Sequence, residues 1–117
     1  MSESKLRTQS MDFAVSIIKL VKCLKENRES IISNQIGRSG TSIGANIREA
    51  QYAHGKADFI AKLQIALKEC YETEYWLALF VKSQILNGEA AVDLYNQCGT
   101  IRRILISSIT TAKENSK

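Results

Sequence analysis

The chain has 117 residues and a net charge of +4, from 16 Lys and Arg against 12 Asp and Glu, with three cysteines and no proline. That length carries one modest hydrophobic core, and the lack of proline, which breaks helix interiors, favours long uninterrupted helices. No run approaches the roughly 18 apolar residues of a membrane span, and the opening "MSESKLRTQSM" lacks the apolar centre of a signal peptide. Three scattered cysteines argue against a disulfide framework, and Cys23, Cys70 and Cys98 each read as small core hydrophobes. The expectation is a cytoplasmic protein forming a single domain over 1–117, with residues 1–10 frayed.

The first helix is expected at about 11–26, where Phe13, Ile17, Leu20 and Leu24 recur at helical spacing and Lys19, Lys22 and Lys25 lie elsewhere on the cylinder. The polar "ENRES" closes it, with Ser30 placed to cap the next helix. That second helix, about 31–53, carries Ile32, Ile36, Ile43, Ile47 and Ala50 on one stripe. The turn "HGKAD" follows, Gly55 suiting a left-handed position past the helix end. A third helix at about 57–86 aligns Phe59, Leu63, Ala66, Leu67, Cys70, Leu77 and Val81, and Gly88 in "LNGEA" stops it. The fourth, about 89–113, aligns Leu94, Cys98, Ile101, Leu105 and Ile109; Gly99 within it marks either a close crossing or a break. Strand-like alternation is not sustained, so the fold is all-α, an antiparallel up-down-up-down four-helix bundle.

The second helix holds an unusual stretch, "QIGRSGTSIGANIREAQYA". A Walker-type phosphate loop would need a Gly-Lys-Ser/Thr ending after a strand, and a dinucleotide fingerprint would need G-x-G-x-x-G; neither is present. "GRSG" matches the four-letter clamp of KH domains but lacks their sheet. Gly40 and Gly44 instead form a G-x-x-x-G pair that bares one flank of a helix to a neighbouring backbone. Beside it runs a polar seam, Ser39, Ser42, Asn46 and Glu49. An antiparallel turn near residue 55 brings Ser42 toward Glu69, Arg38 and Ser39 toward Glu72 and Thr73, and Glu49 toward Lys62. Ser42, Asn46, Glu49, Glu69 and Glu72 are therefore expected to form an interhelical network, with Arg38 pairing Glu69 or Glu72.

Catalytic chemistry is hard to place. His54 is the one histidine, and it sits in a turn with no acid to orient it. "ECYE" puts Glu69 and Glu72 on one helical face, but the Glu-x-x-His motifs of bundle metal sites are missing. No catalytic, cofactor-binding or metal-ligating residue is assigned, no cofactor is expected, and no small-molecule substrate is expected. The expectation is a non-enzyme.

Two surface features remain. Residues 1–57 hold nine Lys and Arg against five acids, while the rest is balanced at seven of each. Lys19, Lys22, Lys25, Arg28, Arg38 and Arg48 are therefore the candidates for phosphate contacts with nucleic acid. The segment "YWLALFV" is apolar all round its helix, more than one small core can absorb, so Trp76, Leu79 and Phe80 are candidates for an oligomer interface.

The run "SGTSIGANIREAQYAHGKADFIAKLQIALKECYETEYWL" resembles the signature of the four-helix-bundle proteins encoded by intervening sequences of 23S rRNA genes. Ser42, Ile43, Ala45, Asn46, Ile47 and Glu49 carry its first half; Asp58, Phe59, Leu63, Ala66, Glu69, Glu72 and Leu77 carry its second. The resemblance implies a bacterial, cytoplasmic protein assembling as a homo-oligomeric ring, typically a homopentamer, and related to retroelement accessory variability proteins that bind a reverse transcriptase and nucleic acid. Arg48 stands where many such proteins have Ala. The function expected is an oligomeric scaffold or adaptor for a protein partner; the alternative is a basic ring holding structured RNA or other nucleic acid through its phosphates.

Overall fold

The computed structural model describes residues 2–84 and 88–115, with side chains from residue 5 onward. Four helices account for nearly all of it: α1 (Ser2–Glu26), α2 (Ile31–Gln51), α3 (Lys56–Ser83) and α4 (Glu89–Asn115). Each packs on the next, and α1 closes against α4, so the four stand around one axis in a bundle of 49 × 20 × 20 Å. No strand occurs among the described residues.

The core is the sum of the four apolar stripes. Phe13, Ile17 and Leu24 meet Ile36, Ile43 and Ile47, and the other half is filled by Leu63, Ala66, Cys70, Leu77, Leu94, Cys98, Ile101 and Leu105, all buried. Two flanks of α2 set its neighbours. Gly37, Gly40 and Gly44 face α1, where a methyl group added at Gly40 would stand 2.9 Å from Ile17 Cγ1. A methyl group added at Gly44 would stand 3.4 Å from both the Ser10 carbonyl and hydroxyl oxygens. On the other flank Ser39 meets α3, and the Thr73 hydroxyl donates to Ser39 Oγ at 2.9 Å. Small residues on both sides let α2 sit closely between two helices.

Several boundaries differ from the sequence pattern. The first helix starts at Ser2 rather than near residue 11, and Leu6 is 1% exposed. The stripe runs upward through Ser10 to Leu6, which pins the segment expected to fray; Leu6, Ile47, Ala50, Phe59 and Leu63 leave only about 10 Å³ between them. Ser30 makes no side-chain cap; Glu29 does this work, its carboxylate accepting the Ile32 amide at 3.0 Å. The second helix ends at Gln51, not 53, and Gly55 is extended (φ −172°) at the start of α3 rather than left-handed. The third helix stops at Ser83 with Gln84 left-handed (φ 56°), while residues 85–86, assigned to it from the sequence, lie outside the described residues. Gly99 does not break α4, which runs through it unbroken. Cys23 is exposed, whereas Cys70 and Cys98 are buried as expected.

Arg28 is left-handed (φ 64°) at the end of α1. Its amide returns to Lys25 O at 3.0 Å and the Glu29 amide to Leu24 O at 2.8 Å, the pattern that usually closes on glycine. Replacing Arg28 by Gly should raise stability by about 1 kcal/mol, because a side chain in that conformation costs roughly that much. Gly44→Ala should also stabilise, by up to about 1 kcal/mol, because the helix gains and the Ser10 contact stays ordinary. Urea midpoints of both variants above wild type are the expected result.

Candidate functional site

The seam between α2 and α3 was the densest polar cluster expected from sequence, and the structure assembles most of it. Arg38 Nη1 reaches Glu69 Oε2 at 3.4 Å, and its other terminal nitrogen pairs with Glu72. Glu72 also accepts the Trp76 indole N–H at 3.0 Å. One turn from the end of α2, Glu49 pairs with Lys62 at 3.3 Å. Ser42 and Asn46 do not join. The Asn46 amide folds back to Ser42 O at 2.9 Å and Ser42 Oγ at 3.4 Å, so the two close on their own helix instead of crossing to Glu69. The seam therefore holds register through its ends and through Ser39–Thr73, and its carboxylates are occupied by cations.

A second polar contact, not read from the sequence, lies between α3 and α4. Arg102 Nε donates to Glu74 Oε1 at 2.7 Å, with Glu74 only 8% exposed, and the guanidinium rests 5.7 Å from the centre of the Tyr71 ring. The hydrogen bond with Glu74 pushes the Arg102 pKa up, which holds the guanidinium charged. A signal existed: Glu74 follows buried Cys70 by four residues and Arg102 follows buried Cys98 by four, so each charge sits on the edge of a core stripe. Beneath it Cys98 Sγ donates to Cys70 O at 3.5 Å, and the Cys70 side chain together with burial pushes the Cys98 thiol up, away from the reactive thiolate.

Around the α2–α3 turn an open groove of about 560 Å³ is lined by Ala45, Arg48, Glu49, Tyr52, His54, Asp58 and Lys62. Among the described residues, no group of three or more His, Cys, Asp and Glu side chains is placed to hold a metal ion.

The nucleic-acid candidates separate. Lys19, Lys22, Lys25 and Arg28 are exposed at the C-terminal end of α1. Arg38 is tied to Glu69 and Glu72, and Arg48 is exposed near the far end of α2, about 25 Å along that helix from its start. The interface candidates divide as well. Phe80 is 1% exposed inside the bundle's own core, a correction to its expected place at a subunit contact: the backbone turns it inward alongside Leu77. Trp76 is partly buried against the core, and Leu79 is 38% exposed. The residues missed are neighbours at helical spacing. Tyr71 and Tyr75 share the outward side of α3 with Leu79, Tyr95 and Val92 stand on adjoining α4, and Met11, Val15 and Ile18 form an exposed apolar stripe on α1.

Compared with known proteins, the chain matches the family model for the 23S rRNA-intervening sequence protein over residues 2–107. It belongs to that family. The match covers nearly the whole bundle, so the resemblance read from the α2–α3 signature extends to all four helices of this intervening-sequence protein. Its structure is similar to the 1.70 Å crystal structure of a protein of unknown function from the S23 ribosomal protein family of Bacteroides thetaiotaomicron VPI-5482. The two share 48% identity and a TM-score of 0.90, over 94% of this chain and 99% of the other. No curated protein matches the chain. Neither similarity indicates a catalytic family. No helix among the described residues is long and apolar enough to cross a membrane.

The Glu74–Arg102 pair gives a test of the α3–α4 contact. Glu74→Ala should cost about 2 kcal/mol because it removes the carboxylate from a partly buried guanidinium, whereas Glu74→Leu combined with Arg102→Met should recover most of that loss. Urea denaturation of the single and double variants measures the difference.

Proposed function

We propose that this intervening-sequence protein is a non-catalytic, self-assembling scaffold, its protomers joined head to tail and displaying a repeated surface to a protein partner. The observation that carries this reading is a pair of unlike apolar surfaces on different helices of the bundle. One is the α1 stripe of Met11 (55% exposed), Val15 (45%) and Ile18 (59%), on the side of α1 turned away from Phe13 and Ile17. The other is the face of Tyr71, Tyr75 and Leu79 on α3 with Val92 and Tyr95 on α4. Exposed apolar clusters of this kind favour burial against a partner. Two different surfaces meeting in a heterologous contact generate a ring when the rotation closes. A homopentameric, cytoplasmic ring is the form that the family resemblance favours. The interface is then centred on Tyr71, Tyr75 and Leu79, with Trp76 at its margin.

The competing reading, a basic ring gripping structured RNA by its phosphates, draws on fewer features. Lys19, Lys22, Lys25 and Arg28 form no ion pair among the described residues, which leaves them available. The acids around Arg38 and the distance to Arg48 break the six candidates into separate sites, so one continuous phosphate track is not formed on a protomer.

A mixing experiment tests the head-to-tail contact. Val15→Asp with Ile18→Asp spoils one surface, and Tyr75→Asp with Leu79→Asp spoils the other; all four side chains are exposed, so helicity by circular dichroism should persist. Each double variant alone should run as a 13.1 kDa monomer. An equimolar mixture should form a dimer through the one intact surface of each. Wild-type mass in both variants, or a wild type that is itself monomeric, would overturn the proposal.

A further inference from the structure

The groove at the α2–α3 turn combines features that the linear sequence keeps apart. Arg48 and Tyr52 are one turn apart on α2, and Asp58 and Lys62 are one turn apart on α3. The Glu49–Lys62 pair fixes the register, so Lys62 lies level with Arg48, and Asp58 lies level with Tyr52. Arg48 and Lys62, with the Glu49 carboxylate that Lys62 pairs with, therefore define one end of the groove, while Tyr52, Asp58 and the His54 turn define the other. One helical turn of four residues separates the backbones of these ends by about 6 Å, and the long, flexible Arg48 and Lys62 side chains add the reach a mononucleotide needs to span them.

The side chains are also available. Tyr52 is 74% exposed at the end of α2 and packs on nothing in the core. Arg48 forms no ion pair among the described residues, and half-buried Asp58 accepts no hydrogen bond from a described side chain. Lys62 spends one of its three donors on Glu49 and keeps others free. Small Ala45 on the outer side of α2 leaves the floor open.

We infer that this groove is a binding site for an unpaired purine nucleotide. Its base stacks on the Tyr52 ring, its Watson–Crick edge faces the Asp58 carboxylate, and its phosphate lies between Arg48 and Lys62. A phenol ring accepts the face of any base, which supplies affinity. The carboxylate supplies choice: guanine presents two adjacent donors, N1–H and N2–H, to a pair of carboxylate oxygens, whereas the matching edge of adenine offers an acceptor at N1 that repels them. The site selects guanine. It is separate from the α1 stripe and from the α3–α4 tyrosine face, so it does not depend on subunit assembly. Free guanine nucleotide and an unpaired guanosine in single-stranded RNA offer the same chemistry.

The single histidine reports directly on the groove, because one imidazole signal belongs to His54 alone. Wild-type protein is titrated with guanosine monophosphate, adenosine monophosphate, inorganic phosphate and a single-stranded RNA pentamer carrying one guanosine, following that signal by NMR and affinity by calorimetry. Guanosine monophosphate should shift the His54 signal and bind at least tenfold tighter than adenosine monophosphate or phosphate. Tyr52→Leu should weaken binding about tenfold, Asp58→Asn should reduce the guanine preference to within about threefold, and Arg48→Ala should flatten the salt dependence. A pentamer that binds at least tenfold tighter than the mononucleotide, with the same Tyr52 dependence, supports the site and assigns it to RNA strands; equal affinity supports it and assigns it to free nucleotide. No movement of the His54 signal with any probe, or phosphate binding as tightly as nucleotide and unaffected by Tyr52→Leu, would overturn it. Native mass measured on the same samples distinguishes this failure from a failure of the scaffold.

Discussion

The bundle depends on how α2 is seated. It is the one helix whose two flanks are both stripped of bulk, glycines toward α1 and serines toward α3, and its isoleucines point between them into the core. Three glycines in 21 residues weaken the helix by roughly 1 kcal/mol each, a cost offset only if neighbouring helices come close enough to gain contact. Ile17 occupies the space at Gly40, whereas at Gly44 Ser10 comes close but leaves room for a methyl group. On the other flank Ser39 bonds Thr73 inside the core, and Arg38 and Glu49 tie the outer edge to α3. Once α1 and α3 are fixed to α2, α4 has one remaining gap to fill, and the Glu74–Arg102 pair sets its height.

This arrangement fills the interior with closely packed side chains. Inside the core Thr73 donates to Ser39, and the Cys98 thiol donates to Cys70 O and is pushed up away from the thiolate. Along the α2–α3 seam Glu69 and Glu72 face Arg38, while Glu49 faces Lys62. What the bundle has to offer lies on its surface: apolar side chains facing away from the core on α1, tyrosines on α3 and α4, and the mixed groove at the α2–α3 turn. Membership in the 23S rRNA-intervening sequence protein family, and the likeness to a protein of unknown function, leave these surfaces as the guides to role.

Much of the interior was legible in the sequence because helical periodicity is a property of local spacing. Ile36, Ile43, Leu77 and Leu105 were placed correctly by counting alone, and so was the pairing of Arg38 with the Glu69 and Glu72 helix. Features that rest on a single residue were not. Leu6 is one apolar side chain in a polar run, too little to announce that α1 begins nine residues early. Glu29 displaced Ser30 as the cap because a longer side chain can reach back to the Ile32 amide. Phe80 was assigned outward because its segment is apolar all round, where periodicity carries no phase. The α2–α3 groove escaped for another reason: Tyr52 and Arg48 belong to one helix and Asp58 and Lys62 to the next, and only the turn brings them to one rim.

The close seat of α1 on α2 is tested most directly by a double-mutant cycle on Ile17 and Gly40. In the wild-type background Gly40→Ala should destabilise by about 1 to 2 kcal/mol, since the new methyl collides with Ile17. With Ile17→Ala already in place the same substitution should stabilise by up to about 1 kcal/mol, because only its helix preference remains. Equal effects in the two backgrounds would contradict the account, since Gly40 would then owe its place to something other than the approach of α1.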